Sequence, residues 1–321
     1  MSNNKNISNS QHKTSIGGQA LTEGIMMRGP GLASMACRLP DGTIDIETWE
    51  IKTGKNAPWY MKAPFIRGCI NFGVSLADGI RCNMKASEKQ MTDDDDDEEP
   101  TAFEKWLTEK LGDKLVPIIM TVAMIIGFAI AICLFKFLPM LLSNLLEGVG
   151  VGRVGISASE GVLKILLLVG YMWAISFMPD IATTFRYHGA EHKTIACYEK
   201  GLPLTVENIR EQTRFHPRCG TSFLLIVVLI NILVNMFLPY GKGNLLLRFG
   251  LQMLLLAPIA SVSYEIIRIA GRYDNVFTRF ISAPGLWLQR ITTKEPNDKQ
   301  IEVAIAAMEK VIPENREDDR W

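Results

Sequence analysis

The chain has 321 residues, of which 48% are hydrophobic and 21% charged, and its 34 basic side chains are balanced by 34 acidic ones. This balance gives no electrostatic basis for binding nucleic acid, so we expect no nucleic-acid partner. The length allows two or three domains. The six cysteines have no regular spacing, which argues against a disulfide framework and favours a reducing compartment or membrane packing.

The N-terminal part of the chain predicts a polar tail and a small cytosolic domain. Residues 1–15 are polar and lack the apolar core of a signal peptide, so we expect a disordered tail. Short apolar runs between turn signals predict antiparallel strands at 20–27, 32–39 and 43–51. An amphipathic pattern at 64–90 predicts a helix that completes a β/α cap over residues 16–91.

Two charged residues, Glu23 within the first predicted strand and Arg28 at its end, are weaker site candidates. The plain interpretation of both is a solvated strand face. The segment Gly29-Pro30-Gly31 provides the turn that separates this strand from the second one.

The middle of the chain predicts a membrane domain that crosses the lipid bilayer four times. An acidic linker at 92–100 leads into residues 101–274, where four apolar runs approach the roughly 20 residues that a bilayer requires. These runs are 115–142, 161–178, 222–238 and 245–262. The one charge of the first run, Lys136, is expected to extend to the membrane interface. The sequence thus predicts a mainly α-helical polytopic membrane protein with a small antiparallel β-containing N-terminal domain.

Basic residues indicate the orientation of this membrane domain. They are concentrated in the connection between the second and third predicted spans, residues 179–221, whereas the connections after the first and third spans carry only Arg153 and Lys242. By the positive-inside rule we expect residues 179–221 and both termini in the cytosol, and hence a multi-pass protein of the cytoplasmic (inner) membrane. Residues 275–321 predict two amphipathic helices at the C-terminus.

Residues 188–192 read His-Gly-Ala-Glu-His, which is the H-x-x-E-H pattern of the inverted zincins. On a helix, His188 and His192 project from one face, where two imidazoles one turn apart can bind a single divalent metal. Glu191 lies beside them and can accept a proton from water. We therefore predict a zinc site with both histidines as ligands and Glu191 as the catalytic base. The plain alternative is that all three residues pair with backbone, with Arg186 or with lipid phosphate.

A zinc site of this kind needs a third protein ligand. The first candidate is His216, which stands in the segment His216-Pro-Arg-Cys just before the third predicted span. The second is Glu265, an ionisable group at the end of the fourth predicted span. Cys219 is a further candidate. Glu199 is a weaker one, because seven residues of helix place it about 10 Å beyond His192.

Several motifs carry a family resemblance over nearly the whole chain. They are residues 17–20 (GGQA), 23–28 (EGIMMR), 186–194 (RYHGAEHKT), 216–223 (HPRCGTSF), 263–265 (SYE), 289–293 (QRITT) and 301–304 (IEVA). With these motifs the chain resembles the bacterial membrane-protein family known as domain of unknown function 1385. The resemblance implies a membrane protein and a metal-dependent enzyme, without indicating its substrate.

Three functions fit these observations. The first is a metal-dependent hydrolase whose substrate is a lipid or a membrane protein that reaches the cytosolic surface. The second is a non-catalytic scaffold or assembly factor for membrane proteins, which the number of amphipathic segments favours. The third, a transporter, is the weakest, because the predicted spans show no paired charges and no inverted repeat.

Overall fold

A computed structural model describes residues 12–51, 58–91, 112, 115–146, 150–238, 245–273 and 275–321. The predicted acidic linker at 92–100 and most of the predicted N-terminal tail lie outside these residues. The contacts divide the chain into two compact units. The first unit consists of Met1–Gln90, Trp173–Ile226 and Ala260–Trp321, and the second consists of Met91–Met172 and Val227–Ile259.

The N-terminal residues form a four-stranded antiparallel sheet with the strand order β1-β2-β3-β4. The strands are β1 (Gly17–Leu21), β2 (Gly24–Arg28), β3 (Leu32–Arg38) and β4 (Ile44–Glu50). The expectation of one strand at 20–27 was wrong, because a tight turn at Thr22 and Glu23 splits that segment into β1 and β2. Glu23 turns the chain with a φ of 48°, and the segment has no Asn-Gly or Asp-Gly pair to signal such a turn.

Helices make up most of the remaining chain. They are α1 (Ile66–Glu88), α2 (Leu115–Ile132), α3 (Leu138–Leu145), α4 (Arg153–Ile175), α5 (Pro179–Glu199), α6 (Val206–Arg210), α7 (Gly220–Asn235), α8 (Leu245–Leu254), α9 (Leu256–Arg272), α10 (Val276–Thr292) and α11 (Asp298–Glu309). A π-helical segment, Cys133–Phe137, joins α2 to α3. The predicted helix at 64–90 and both predicted C-terminal helices are confirmed as α1, α10 and α11.

The sheet of the first unit is covered by helices on both faces. On β2, Ile25 and Met27 belong to the core that α5 and α11 share, whereas Met26 belongs to a second core with Cys82 and Ala86 of α1. This alternation follows from the two-residue period of a strand, which sends neighbouring side chains to opposite faces. The sheet therefore gives a rigid support for α5, the helix that carries the His-Glu motif.

Three helical segments are long and apolar enough to cross a membrane, namely Thr121–Ser143, Val154–Ile175 and Leu246–Arg272. They make the chain compatible with a membrane protein. The third predicted span is a shorter helix, α7, whose 16 residues extend about 24 Å at 1.5 Å per residue. This is less than the roughly 30 Å of a bilayer core, so a fourth span stays a prediction.

Candidate metal centre

The His-Glu motif lies in the second half of α5, on the part of the helix that faces the core. Pro179 occupies the first turn, where its missing N–H costs no helical hydrogen bond. Further along, the helix is buried almost continuously from Tyr187 to Ile195. The rings of His188 and His192 lie on one face with their centroids 4.4 Å apart. The helical spacing predicted from the sequence thus brings both imidazoles together.

Gly189, inside the motif, is required by packing. A Cβ at this position would lie 2.0 Å from the carbonyl oxygen of Lys294, in the segment that follows α10. The amide of Lys294 donates to the carbonyl of Phe185, one turn earlier on α5, over 2.9 Å. Glycine lowers helix stability, but here its missing side chain allows the two backbones to touch.

Backbone carbonyls orient both imidazoles. Nδ1 of His188 donates to the carbonyl of Thr292 at 2.8 Å, and Nδ1 of His192 donates to the carbonyl of Arg214 at 2.6 Å. An imidazole that donates through Nδ1 has a lone pair on Nε2 once Nε2 has given up its proton, as it would on binding a metal. Metal-ligating histidines are commonly fixed in this way by a partner behind the ring.

Cys219 supplies the third donor atom. Its Sγ lies 3.2 Å from Nε2 of His188, and one ligand atom each from His188, His192 and Cys219 lie within 4.8 Å of one another. Bond lengths of about 2.0 Å to nitrogen and 2.3 Å to sulfur give an N···S separation of about 3.6 Å around tetrahedral zinc. Two imidazoles and a thiolate therefore fit zinc in both spacing and chemistry.

His188 and Cys219 form a charged pair. Burial disfavours the thiolate, but His188 and His192 outweigh it and hold the pKa of Cys219 well below its ordinary value. Burial also disfavours the imidazolium, but Cys219, Glu191 and the Thr292 carbonyl raise the pKa of His188 to about 9. Cys219 directly precedes the first turn of α7, where the amide of Thr221 donates to its sulfur over 3.5 Å. Helix N-termini favour thiolates, which are the form that binds metal.

Glu191 is buried next to these donors, with 5% of its surface exposed. Burial raises the pKa of its carboxyl group, while His188 and His192 oppose that rise. The backbone N–H of Gly18, in β1, donates to this carboxylate. A Cβ on Gly18 would lie 2.9 Å from Cδ of Glu191, so β1 approaches the acid closely only because residue 18 has no side chain. A raised pKa makes this carboxylate a stronger proton acceptor than an exposed one, which suits a general base.

His216, the first-ranked third ligand, lies beside this group and has other partners. Its ring centroid is 5.6 Å from that of His192. Its Nε2 accepts from the guanidinium of Arg218 at 3.1 Å and lies 3.8 Å from Glu199. Glu199 also accepts from Arg218 and from the amide of Thr14. Burial disfavours the Glu199 carboxylate, but His216 and Arg218 outweigh it and lower its pKa to about 2.

The remaining candidates from the sequence lie away from the three donors. Glu265 pairs with Arg67 of α1. Glu23 accepts from the hydroxyl of Tyr187 at 3.1 Å, next to His188 in sequence. Arg28 pairs with Asp78 at 3.3 Å. Among the described residues, Cys219 and not His216 or Glu265 completes a group with metal-ligand spacing.

Gln289, on α10, is a positioning residue that no sequence pattern predicted. Its side chain accepts from the amide of His216 and donates to the carbonyl of the same residue, both at 2.8 Å. It also donates to the hydroxyl of Ser222 at 3.2 Å, and it is fully buried. Gln289 thereby fixes the loop that presents Cys219. The only available signal was its place in the motif at 289–293, since a buried amide has no pattern of its own.

A cavity of about 560 Å³ opens onto the donors. Its walls include the polar residues His188, Glu191 and Cys219 and the apolar residues Phe72, Leu76, Phe185 and Phe223. The rings of Phe72 and Phe223 contact each other with centroids 5.4 Å apart. Mostly apolar walls with a few convergent polar groups are typical of a small-molecule site.

Comparisons with known proteins agree with the family resemblance. The family described as "Protein of unknown function (DUF1385)" matches residues 63–314. The chain is 33% identical, over 306 residues and 94% of both chains, to the protein named "Uncharacterized protein YqhQ" of Bacillus subtilis (strain 168). No solved structure matches the chain. The match to the family over most of the chain and the identity to this relative show that the chain belongs to the DUF1385 family.

Proposed function

We propose that this protein is a metal-dependent membrane enzyme of the hydrolase type, with zinc held by His188, His192 and Cys219. The observation that carries the proposal is the convergence of three donor atoms within 4.8 Å of one another. Bound there, a divalent ion would supply Lewis acidity for the attack of water on a carbonyl or phosphoryl group.

The side chains around the donors support this chemistry. Glu191 acts as the base that takes a proton at its carboxylate, and the N–H of Gly18 holds that carboxylate in place. The carbonyls of Thr292 and Arg214 keep Nε2 of both histidines directed at the ion. Because Glu191, His192 and Cys219 are buried, bulk water has access to them mainly through the cavity.

The cavity supports a substrate with an apolar part. Phe72, Phe185 and Phe223 line its wall, and Phe72 and Leu76 are 43% and 52% exposed, so apolar surface continues outward from the site. A lipid or a segment of a membrane protein fits such a surface. With the basic connection at 179–221, this favours a site at the cytosolic surface of the inner membrane, with both termini in the cytosol.

Elemental analysis of the purified protein tests the metal site. We expect about one equivalent of zinc in the wild type and its loss in His188→Ala and Cys219→Ser, while His216→Ala, the matched control, keeps it. In cobalt-loaded protein, a thiolate-to-metal charge-transfer band is expected in the wild type and in His216→Ala, but not in Cys219→Ser. Wild-type protein that binds no metal and is indifferent to chelator would overturn the proposal.

Glu191→Gln separates catalysis from scaffolding. The amide keeps the shape of the side chain but cannot serve as a base, so we expect this variant to retain zinc and to fail to complement a strain that lacks the protein. Full complementation by Glu191→Gln would favour the non-catalytic scaffold.

A second candidate, acyl transfer through a cysteine nucleophile, is favoured by the 3.2 Å contact between Cys219 and His188. The thiolate would attack an acyl carbonyl and expel the leaving group, which takes its proton from His188. Water would then hydrolyse the thioester and regenerate the thiol. Metal-free wild-type protein whose Cys219 is alkylated rapidly, with loss of complementation in Cys219→Ser, would support this candidate over the zinc enzyme.

A further inference from the structure

The second unit contains a buried group of charged and amide side chains within its apolar helices. This intramembrane polar cluster consists of Lys136, Glu160, Lys164, Asn231, Arg248 and Gln252. The expectation that the spans have no paired charges was wrong. It failed because the membrane-length segment Val154–Ile175 begins earlier than the apolar run at 161–178 and so includes Glu160.

Both carboxylate oxygens of Glu160 accept hydrogen bonds from neighbours inside the cluster. One carboxylate oxygen accepts from Lys164 at 2.5 Å and from the amide of Gln252 at 3.1 Å. The other accepts from the guanidinium of Arg248. Lys164 also donates to Asn231 at 3.2 Å. A single carboxylate is therefore shared between two cations that are nearly fully buried.

Lys136 brings a third positive charge without a partner of its own. Its Nζ is buried and makes no hydrogen bond within the described part of the chain, so the expected extension to the membrane interface was wrong. It lies close enough to Lys164 and Glu160 to interact with both electrostatically. Lys136 also lies in the π-helical segment Cys133–Phe137, and such segments often occur at functional sites.

The charges of the cluster do not balance. Three basic side chains share one acidic side chain, and a buried charge without a partner is strongly unfavourable. Gln252 adds a buried carbonyl oxygen for which the described residues provide no donor. An anion supplies the partner that Lys136 lacks among the described residues.

The position of the cluster along the spans indicates where such an anion would come from. Lys136 lies seven residues before the end of Thr121–Ser143, and Glu160 lies six residues after the start of Val154–Ile175. At 1.5 Å per residue both are roughly 10 Å from a helix end. Arg248 is two residues from the start of Leu246–Arg272. Each residue thus lies between the middle and the nearer end of its apolar segment, and the segment ends are the parts closest to the phosphate layer of a bilayer.

We propose that the intramembrane polar cluster binds a phosphate group, with Lys136 as its cationic contact. The headgroup of an anionic phospholipid and free inorganic phosphate share this chemistry. The proposal does not depend on the zinc site, because every residue of the cluster belongs to the second unit.

Thermal unfolding of the full-length protein in an uncharged detergent tests the proposal. The probes are phosphatidylglycerol, diacylglycerol with the same acyl chains, and inorganic phosphate. We expect phosphatidylglycerol to raise the Tm of the wild type and diacylglycerol to leave it unchanged. In Lys136→Met the concentration of phosphatidylglycerol that gives half of the shift is expected to rise about tenfold or more. Lys310→Met, which removes an exposed lysine of the first unit, is the matched control and should behave as the wild type.

The arms of the experiment separate the sources of the phosphate. Protection by inorganic phosphate alone, lost in Lys136→Met, identifies a free anion, whereas protection by phosphatidylglycerol alone identifies a lipid. Native mass spectrometry of the wild type provides a readout that needs no variant, since the protein should retain phosphatidylglycerol and release diacylglycerol. Equal responses of the wild type and Lys136→Met, or no response to either phosphate, would overturn the proposal.

Discussion

Replacing Gly189 by alanine has two opposing effects on the stability of the protein, because it improves helix propensity and worsens packing. In an isolated helix the change stabilises by about 1 kcal/mol. In this protein the new Cβ would lie 2.0 Å from the carbonyl oxygen of Lys294, a backbone atom that cannot rotate away. Overpacking of a close contact typically costs about 1–3 kcal/mol, and a contact this short belongs at the upper end. We therefore expect Gly189→Ala to lower the free energy of unfolding by about 1–2 kcal/mol.

We expect Gly189→Ala to disturb the candidate metal centre as well. The segment that carries Lys294 follows Thr292, whose carbonyl orients His188. When Lys294 moves away from α5, this carbonyl moves too, so zinc affinity should fall together with stability. Chemical unfolding of detergent-solubilised protein measures the stability, and competition with a chromophoric chelator measures the zinc affinity.

Gly73→Ala is the matched control for this experiment. Gly73 lies in the interior of α1, also in the first unit, and a Cβ there meets no atom within 4 Å. Only the better helix propensity of alanine then matters, and the free energy of unfolding of this variant should rise by up to about 1 kcal/mol. If Gly189→Ala proved as stable as Gly73→Ala, the close approach of Lys294 to α5 would be refuted, and with it the packing explanation for the glycine.

Three other perturbations test the surroundings of the site. Gln289→Leu removes both hydrogen bonds to the backbone of His216 and should destabilise the protein by about 2–4 kcal/mol in chemical unfolding, with loss of zinc. The pKa of Glu199 is about 2 in the folded protein and 4.5 in the unfolded chain. The ionised carboxylate therefore contributes about 3 kcal/mol to the free energy of unfolding above pH 4.5, and this contribution is lost as the pH falls toward 2. Unfolding followed against pH should show that loss in the wild type and not in Glu199→Gln. Removing zinc with a chelator should lower the Tm of the wild type but not that of Cys219→Ser, which calorimetry would detect.

Local patterns were sufficient for much of the fold. The helical spacing of His188 and His192 predicted their common face, because residues four apart on a helix are neighbours whatever surrounds them. The amphipathic periods predicted α1, α10 and α11 for the same reason. The hairpin at Thr22 and Glu23 was missed, because a turn without glycine or asparagine is set by the pairing of its strands.

The sequence by itself determined the apolar helices, the β-containing N-terminal domain and the two imidazoles with their neighbouring carboxylate. Only the tertiary structure decided that Cys219 joins them while His216 turns to Arg218 and Glu199. His216 and Cys219 are three residues apart in a loop that has neither helical nor strand periodicity. The spacing in the sequence therefore does not indicate which of them faces α5. That choice depends on Gln289 and on the ion pair of Arg218, which are contacts between residues 19 to 73 positions apart.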